Sequence, residues 1–210
     1  MVEIDVRKSK DGELILSHDD NFKRIYGVGE KVSALTGEEI RRLRSPIGDQ
    51  TPPSLRKYAA CCRGRIRVMM DTEETGEGGF FEKMEQILRE NDLLDSAFFI
   101  GSGAQKAYFK GKARVAISRG ELEKAVTAGE AVSTLYFLFG HGNALSEADI
   151  RYAQSLDVPV VASVNTYHYL LHRGQSTPDS DIQHLRQWGV EYFQIDTAYA
   201  PLLAVKKEGQ

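Results

Sequence analysis

The segment Met1-Val2-Glu3-Ile4-Asp5-Val6-Arg7-Lys8-Ser9-Lys10-Asp11-Gly12-Glu13-Leu14-Ile15-Leu16 opens the chain as strand, turn and strand. Ile4 and Val6 alternate with Glu3 and Asp5, so the apolar pair leaves one face and both carboxylates leave the other. Asp11-Gly12 is a hairpin signal. A two-residue turn centred there would place Asp5 opposite His18 and Glu3 opposite Asp20, with Cβ atoms about 5 Å apart. One hairpin would then gather two carboxylates and an imidazole. Hard oxygen donors of this kind suit Mg²⁺ or Ca²⁺, and an imidazole beside them suits acid–base work.

Outward from this segment, strand-like runs alternate with helical patterns. The runs are Val2–Val6, Ile66–Asp71, Ala97–Gly101, Ala113–Ser118, Leu135–Phe139, Val158–Val164 and Val190–Ile195. Between them Thr36-Gly37-Glu38-Glu39 and Ser146-Glu147-Ala148-Asp149 read as capping boxes, and Thr177-Pro178 as a helix start stopped by Gly189. Leu55, Tyr58, Ala59 and Cys62 repeat at helical spacing, as do Phe80, Phe81, Met84, Ile87 and Leu88. Near-continuous β-branched strands joined by helices predict parallel strands buried on both faces. The expected fold class is α/β, a TIM-type (β/α)8 barrel forming a single domain over residues 1–210. With seven core strands and an N-terminal β-hairpin it would be incomplete, since an eight-stranded barrel typically takes about 250 residues. An open doubly wound sheet is the other architecture compatible with this count, but no Gly-x-Gly-x-x-Gly opens a helix.

Composition narrows the function. The 210 residues are 41% hydrophobic and 27% charged, with 27 basic and 30 acidic side chains and a net charge of −3. No basic excess serves a nucleic-acid backbone, so no nucleic-acid partner is expected. No apolar run approaches the roughly 20 residues of a membrane span, and the opening residues form no signal segment, which points to the cytoplasm. Cys61 and Cys62 are adjacent and read as two small buried helix residues. Trp188 reads as core, His184 as solvated, and Lys206-Lys207-Glu208 as an exposed tail. His141 is expected in a loop just past a strand end. His168 and His172, four apart, lack the Glu of a zinc-binding His-Glu-x-x-His.

Glu3-Ile4-Asp5-Val6, Lys10-Asp11-Gly12 and His18-Asp19 resemble motifs of the glycerophosphodiester phosphodiesterase family. Arg24-Ile25-Tyr26-Gly27-Val28-Gly29 is similar to its Arg-x-Thr-x-Gly segment. Val160–Asn165 and Gly189–Asp196 are similar to its late strands. The resemblance is dense over residues 3–71 and thinner beyond. It implies a barrel that hydrolyses glycerophosphodiesters to glycerol 3-phosphate and an alcohol with a divalent cation, Mg²⁺ or Ca²⁺. By position it makes Glu3 and Asp5 metal ligands and His18 a catalytic acid or base. The family's Glu-x-Lys stands here as Asp71-Thr72-Glu73, so Asp71 becomes the third ligand, with Glu73 an alternative if the register slips by two. The family's opening His-Arg-Gly strand has no counterpart, because only Met1 and Val2 precede Glu3. Hydrolysis by this chain alone is therefore expected to be weak or absent, and a non-catalytic relative that binds a metal or a phosphate ester is the alternative. An open strand edge would also favour self-association.

Overall fold

The computed structural model describes residues 1–171 and 176–203. It divides into two compact units, Met1–Val115 and Ala116–Gln210, with the division falling inside one strand.

In the first unit β1 (Val2–Lys8) turns back into β2 (Leu14–Leu16). Next come β3 (Asn21–Phe22), the single-turn α1 (Lys23–Tyr26) and β4 (Val28–Lys31), an antiparallel ribbon too short for hydrophobic periodicity to reveal. Phe22 of the ribbon and Val32, just beyond β4, pack with Ile15 and Ile40 into a small core, closed by α2 (Gly37–Arg41) under the expected Thr36–Glu39 capping box. After α3 (Leu55–Cys62), β5 (Val68–Asp71) runs parallel to β1. Beyond α4 (Phe80–Glu90), β6 (Phe98–Phe99) pairs parallel with β5. Then α5 (Gly103–Phe109) leads into β7 (Arg114–Ile117), parallel to β6. Phe80, Phe81, Met84, Ile87 and Leu88 of α4 are all buried, as their spacing predicts. Phe109 is fully buried and stacks on Phe99, with centroids 3.8 Å apart and rings 10° from parallel.

The second unit continues through α6 (Arg119–Thr127) and α7 (Val132–Leu135) into β8 (Tyr136–His141). It then runs through α8 (Glu147–Ser155), β9 (Val160–Val164), α9 (Thr166–Leu171), α10 (Pro178–Gln187), β10 (Tyr192–Ile195) and α11 (Ala200–Leu203). Strands β8, β9 and β10 pair in parallel. β9 is buried along its whole length, which explains its unbroken apolar character. The Ser146 and Thr177 caps and the Pro at the first position of α10 stand where the sequence places them. Ser118 with Glu121 forms a further capping box at the start of α6, beyond the two expected.

Three local expectations are overturned. The β1–β2 register is Val6 with Leu16, Arg7 with Ile15 and Lys8 with Leu14, one residue from the expected pairing. The Gly12 N–H donates to the Ser9 carbonyl and the Ser9 N–H to that of Glu13, making a three-residue loop with Gly12 at φ 80°. The buried Ser9 hydroxyl sets this loop by donating to Asp11 and accepting from the Glu13 N–H. Cys61 is exposed and only Cys62 is buried, because a 3.6-residue period turns adjacent helix positions to different faces. His141 is the last residue of β8 rather than part of a loop, since pairing with β9 extends to His141 opposite Ser163. Trp188 is half-buried and stacks on the exposed His184, with centroids 5.7 Å apart. His172 and the segment 206–208 lie outside the described residues.

Phe109→Ala removes a fully buried ring and one half of the Phe99 stack. It is expected to destabilise the protein by about 3–5 kcal/mol, read as a fall in the urea midpoint at unchanged slope. A shift below about 1 kcal/mol would show that the site collapses around the loss.

Candidate functional site

Parallel pairing of β1 with β5 puts Val2 beside Val68 and Asp5 beside Asp71, in step along the ladder. Ile4 and Val6 are buried on one face of β1, and Glu3 and Asp5 lie half-buried on the other. Neighbours in register share a face of the sheet, so Asp71 joins Glu3 and Asp5. One carboxylate oxygen from each lies within 4.8 Å of the others. Asp71 is the last residue of β5, and Asp5, midway along β1, is its partner where the β1–β5 pairing ends. A pocket of about 180 Å³ opens there, lined by Asp5, Val6, Arg7, Ser17, His18, Asp71, Thr72 and Glu73.

The end of β5 is tied to β1 by the buried Thr72, whose hydroxyl donates to the Val6 carbonyl at 2.6 Å and accepts from the Glu74 N–H at 3.1 Å. Glu74 in turn accepts from the Lys8 N–H. Gly101 packs onto Thr72 so closely that a Cβ would lie 2.6 Å from its amide nitrogen. These clamps carry no signal in the sequence, where Thr72 is only the spacer between Asp71 and Glu73.

His18 reaches the pocket although the expected pairing with Asp5 does not exist. Opposite Asp5 stands Ser17, whose N–H donates to the Asp5 carbonyl at 3.1 Å. The chain then leaves the strand, and the Arg7 guanidinium holds the His18 carbonyl through Nε at 3.2 Å and Nη2 at 2.8 Å. His18 Nδ1 lies 3.0 Å from Asp19 Oδ1. Arg24 grips Asp19 with Nε at 2.7 Å from Oδ2 and Nη2 at 3.1 Å from Oδ1. Glu73 lines the pocket but is exposed, and it stands outside the carboxylate trio.

Electrostatics follow from this crowding. Burial pushes the Asp5 carboxyl up, against the lowering influence of His18 and Arg7. Burial, then the charges of Asp5 and Glu73, push Asp71 up. The hydrogen bond to Asp19 raises His18. The Arg24 hydrogen bonds, followed by that of His18, hold Asp19 down at about 2. The trio is a half-buried negative pocket of hard oxygen donors, able to hold a divalent cation.

Residues 1–191 match the profile of the glycerophosphoryl diester phosphodiesterase family. The chain belongs to that family. Solved structures agree on the fold. A glycerophosphodiester phosphodiesterase from Agrobacterium tumefaciens is 15% identical with a TM-score of 0.69, over 92% of this chain and 82% of that one. A glycerophosphoryl diester phosphodiesterase from Parabacteroides distasonis is 18% identical with a TM-score of 0.69, over 97% and 76%. An Oleispira antarctica phosphodiesterase, solved with the product sn-glycerol-3-phosphate, is 16% identical with a TM-score of 0.67, over 92% and 79%. The fold is the TIM-type α/β class, as the strand–helix alternation predicts. No curated protein matches the chain. Among the described residues, no helix is long and apolar enough to cross a membrane.

In the second unit, residues at and just beyond the C-terminal ends of β8, β9 and β10 form a further polar group. Asn165 donates to the Ser163 hydroxyl at 3.0 Å and accepts from the His168 N–H at 2.8 Å. Asp196 accepts from the Thr166 N–H at 2.7 Å. The His141 and His168 rings stack with centroids 4.5 Å apart, a contact that no short-range spacing reveals.

Raised carboxyl pKa values mean that the folded protein keeps protons to higher pH than the unfolded chain. Their stabilising contribution is full below the ordinary value of 3.8 and is lost as pH rises through the raised values. With metal stripped by chelator, Asp71→Asn is therefore expected to be more stable than the parent near pH 7. The difference should vanish at a pH of about 3.5, where the native carboxyl is itself neutral. Urea titrations at the two pH values check this, and a less stable variant near pH 7 would contradict it.

Proposed function

We propose that this member of the family hydrolyses a glycerophosphodiester to glycerol 3-phosphate and an alcohol, with the weak turnover expected of a pocket that carries Glu73 in place of a cation, using a divalent cation held by Glu3, Asp5 and Asp71. The observation that carries this reading is the convergence of the three carboxylates within 4.8 Å, in the first unit that also brings His18 to the pocket lined by Asp5 and Asp71. The fit to a hard cation rests on the donors themselves. Three half-buried carboxylates are costly to keep charged together. Burial raises Asp5 and Asp71, the Asp5 charge adds to the rise at Asp71, and a bound cation offsets both effects. Oxygen donors without sulfur or nitrogen favour Mg²⁺ or Ca²⁺. Once bound, such an ion supplies positive charge beside the phosphoryl oxygens.

The protein's own groups do the rest. The trio would hold the cation on the shared face of β1 and β5. His18, raised by its Asp19 bond, keeps its proton to higher pH and so suits the acid that protonates the leaving alkoxide oxygen. The pocket admits a phosphoester group from the open side where the His18 ring is exposed. Glu73 favours a second reading. It sets an anion where the family's Glu-x-Lys sets a cation, and it lines the same pocket. A site with less positive charge would bind a metal or a phosphate ester without turning it over.

Calorimetric titration with Mg²⁺ and Ca²⁺, paired with release of glycerol 3-phosphate from glycerophosphocholine, separates the two readings. Glu3→Gln with Asp5→Asn is expected to abolish cation binding. His18→Ala is expected to lower turnover by about 10²–10⁴ while leaving cation affinity unchanged. Cation binding without turnover in the parent protein would decide for the second reading, and unchanged binding in the double variant would remove this site.

A further inference from the structure

We infer that Asp19 and Arg24 are positioning residues that set the tautomer and ring orientation of His18, with Arg7 anchoring its backbone; this rests on the hydrolytic role of His18 given above. The His18 side chain is 75% exposed. Packing therefore does not hold the ring, and its direction depends on polar contacts.

Those contacts form a chain whose middle member, Asp19, is the least exposed. Arg24 meets Asp19 as a two-pronged fork, at 2.7 and 3.1 Å. Exposed ion pairs are weak in general, but a bidentate guanidinium–carboxylate pair is the favourable exception. Its base adjoins packed rings, because Arg24 sits on α1 between Phe22 and Tyr26. Those two rings meet edge to face at 5.7 Å, and Phe22 is only 2% exposed. The Asp19 carbonyl also accepts the Ser17 hydroxyl at 2.8 Å.

Asp19 stays ionised across the working range, so its oxygens only accept. The 3.0 Å contact with His18 Nδ1 then requires the hydrogen on Nδ1. Nε2 is left as the atom that takes or gives a proton at the pocket. Arg7 completes the placement from β1. It stands two residues after Asp5, hence on the same face of that strand, and its fork on the His18 carbonyl fixes the loop beside the carboxylates.

The test reads the imidazole nitrogens directly. Long-range ¹H–¹⁵N correlation spectra of the ¹⁵N-labelled full chain, recorded where His18 is neutral, distinguish the two tautomers. His18→Gln assigns its signals among the 5 histidines. The parent is expected to show His18 protonated at Nδ1. In Asp19→Asn the amide NH₂ can donate to Nδ1, so the signal should move to the Nε2-protonated form. Arg24→Gln should give a mixture of both. With glycerophosphocholine and Mg²⁺, Asp19→Asn is expected to lower kcat by about 10–100-fold, with KM and cation affinity little changed. An Nε2-protonated ring in the parent, or an unchanged tautomer in Asp19→Asn, would overturn the inference. Absence of hydrolysis in every variant, with the expected tautomers seen, would instead count against the hydrolytic reading and leave the positioning role standing.

Discussion

The parallel register of β1 on β5 is the constraint on which the site depends. It sets Asp5 directly beside Asp71 and, through the two-residue period of β1, Glu3 on the same face. A slip of one residue would turn Glu3 and Asp5 into the core and bring Ile4 and Val6 out. The apolar face therefore enforces the register that crowds the carboxylates. Burial of Ile4, Val6, Val68 and Met70 supplies the free energy that offsets that crowding. Thr72 and Gly101 add a clamp at the strand end, where a larger residue at position 101 would meet backbone.

Around this pair the first unit places its imidazole indirectly. β2 is short and ends at Leu16, whose N–H donates to the Pro53 carbonyl. Beyond Leu16 the chain is fixed by side chains reaching across from other elements, Arg7 from β1 and Arg24 from α1. The small core of Ile15, Phe22, Val32 and Ile40 is thus part of the site's support, because it seats the turn that carries Arg24. A polar constellation on an exposed loop gains its precision from apolar packing below it.

Much of this was legible from local patterns. The alternation of Glu3 and Asp5 with Ile4 and Val6 marked out the carboxylate face. The caps at Thr36, Ser146 and Thr177 and the apolar period of α4 located the helices. Where local patterns misled, the deciding group was one side chain or one distant strand. Ser9 converts an Asp-Gly signal into a three-residue loop and shifts the register. Pairing with β9 carries β8 on to His141.

Short-range pattern was enough for the α/β class, the seven strand positions, the family and the residue types that line the pocket. Each of these depends on neighbours a few positions apart or on motifs that survive as strings. Tertiary contacts alone settled that Asp71, not Glu73, completes the trio, that Ser17 rather than His18 faces Asp5, and that Arg7, Asp19 and Arg24 hold the imidazole. These depend on which residue of one strand meets which residue of another, and on side chains that bridge elements. The physical reason is that register is chosen by the summed burial of whole faces and by loop closure. Neither is encoded in the spacing of the residues that the site employs.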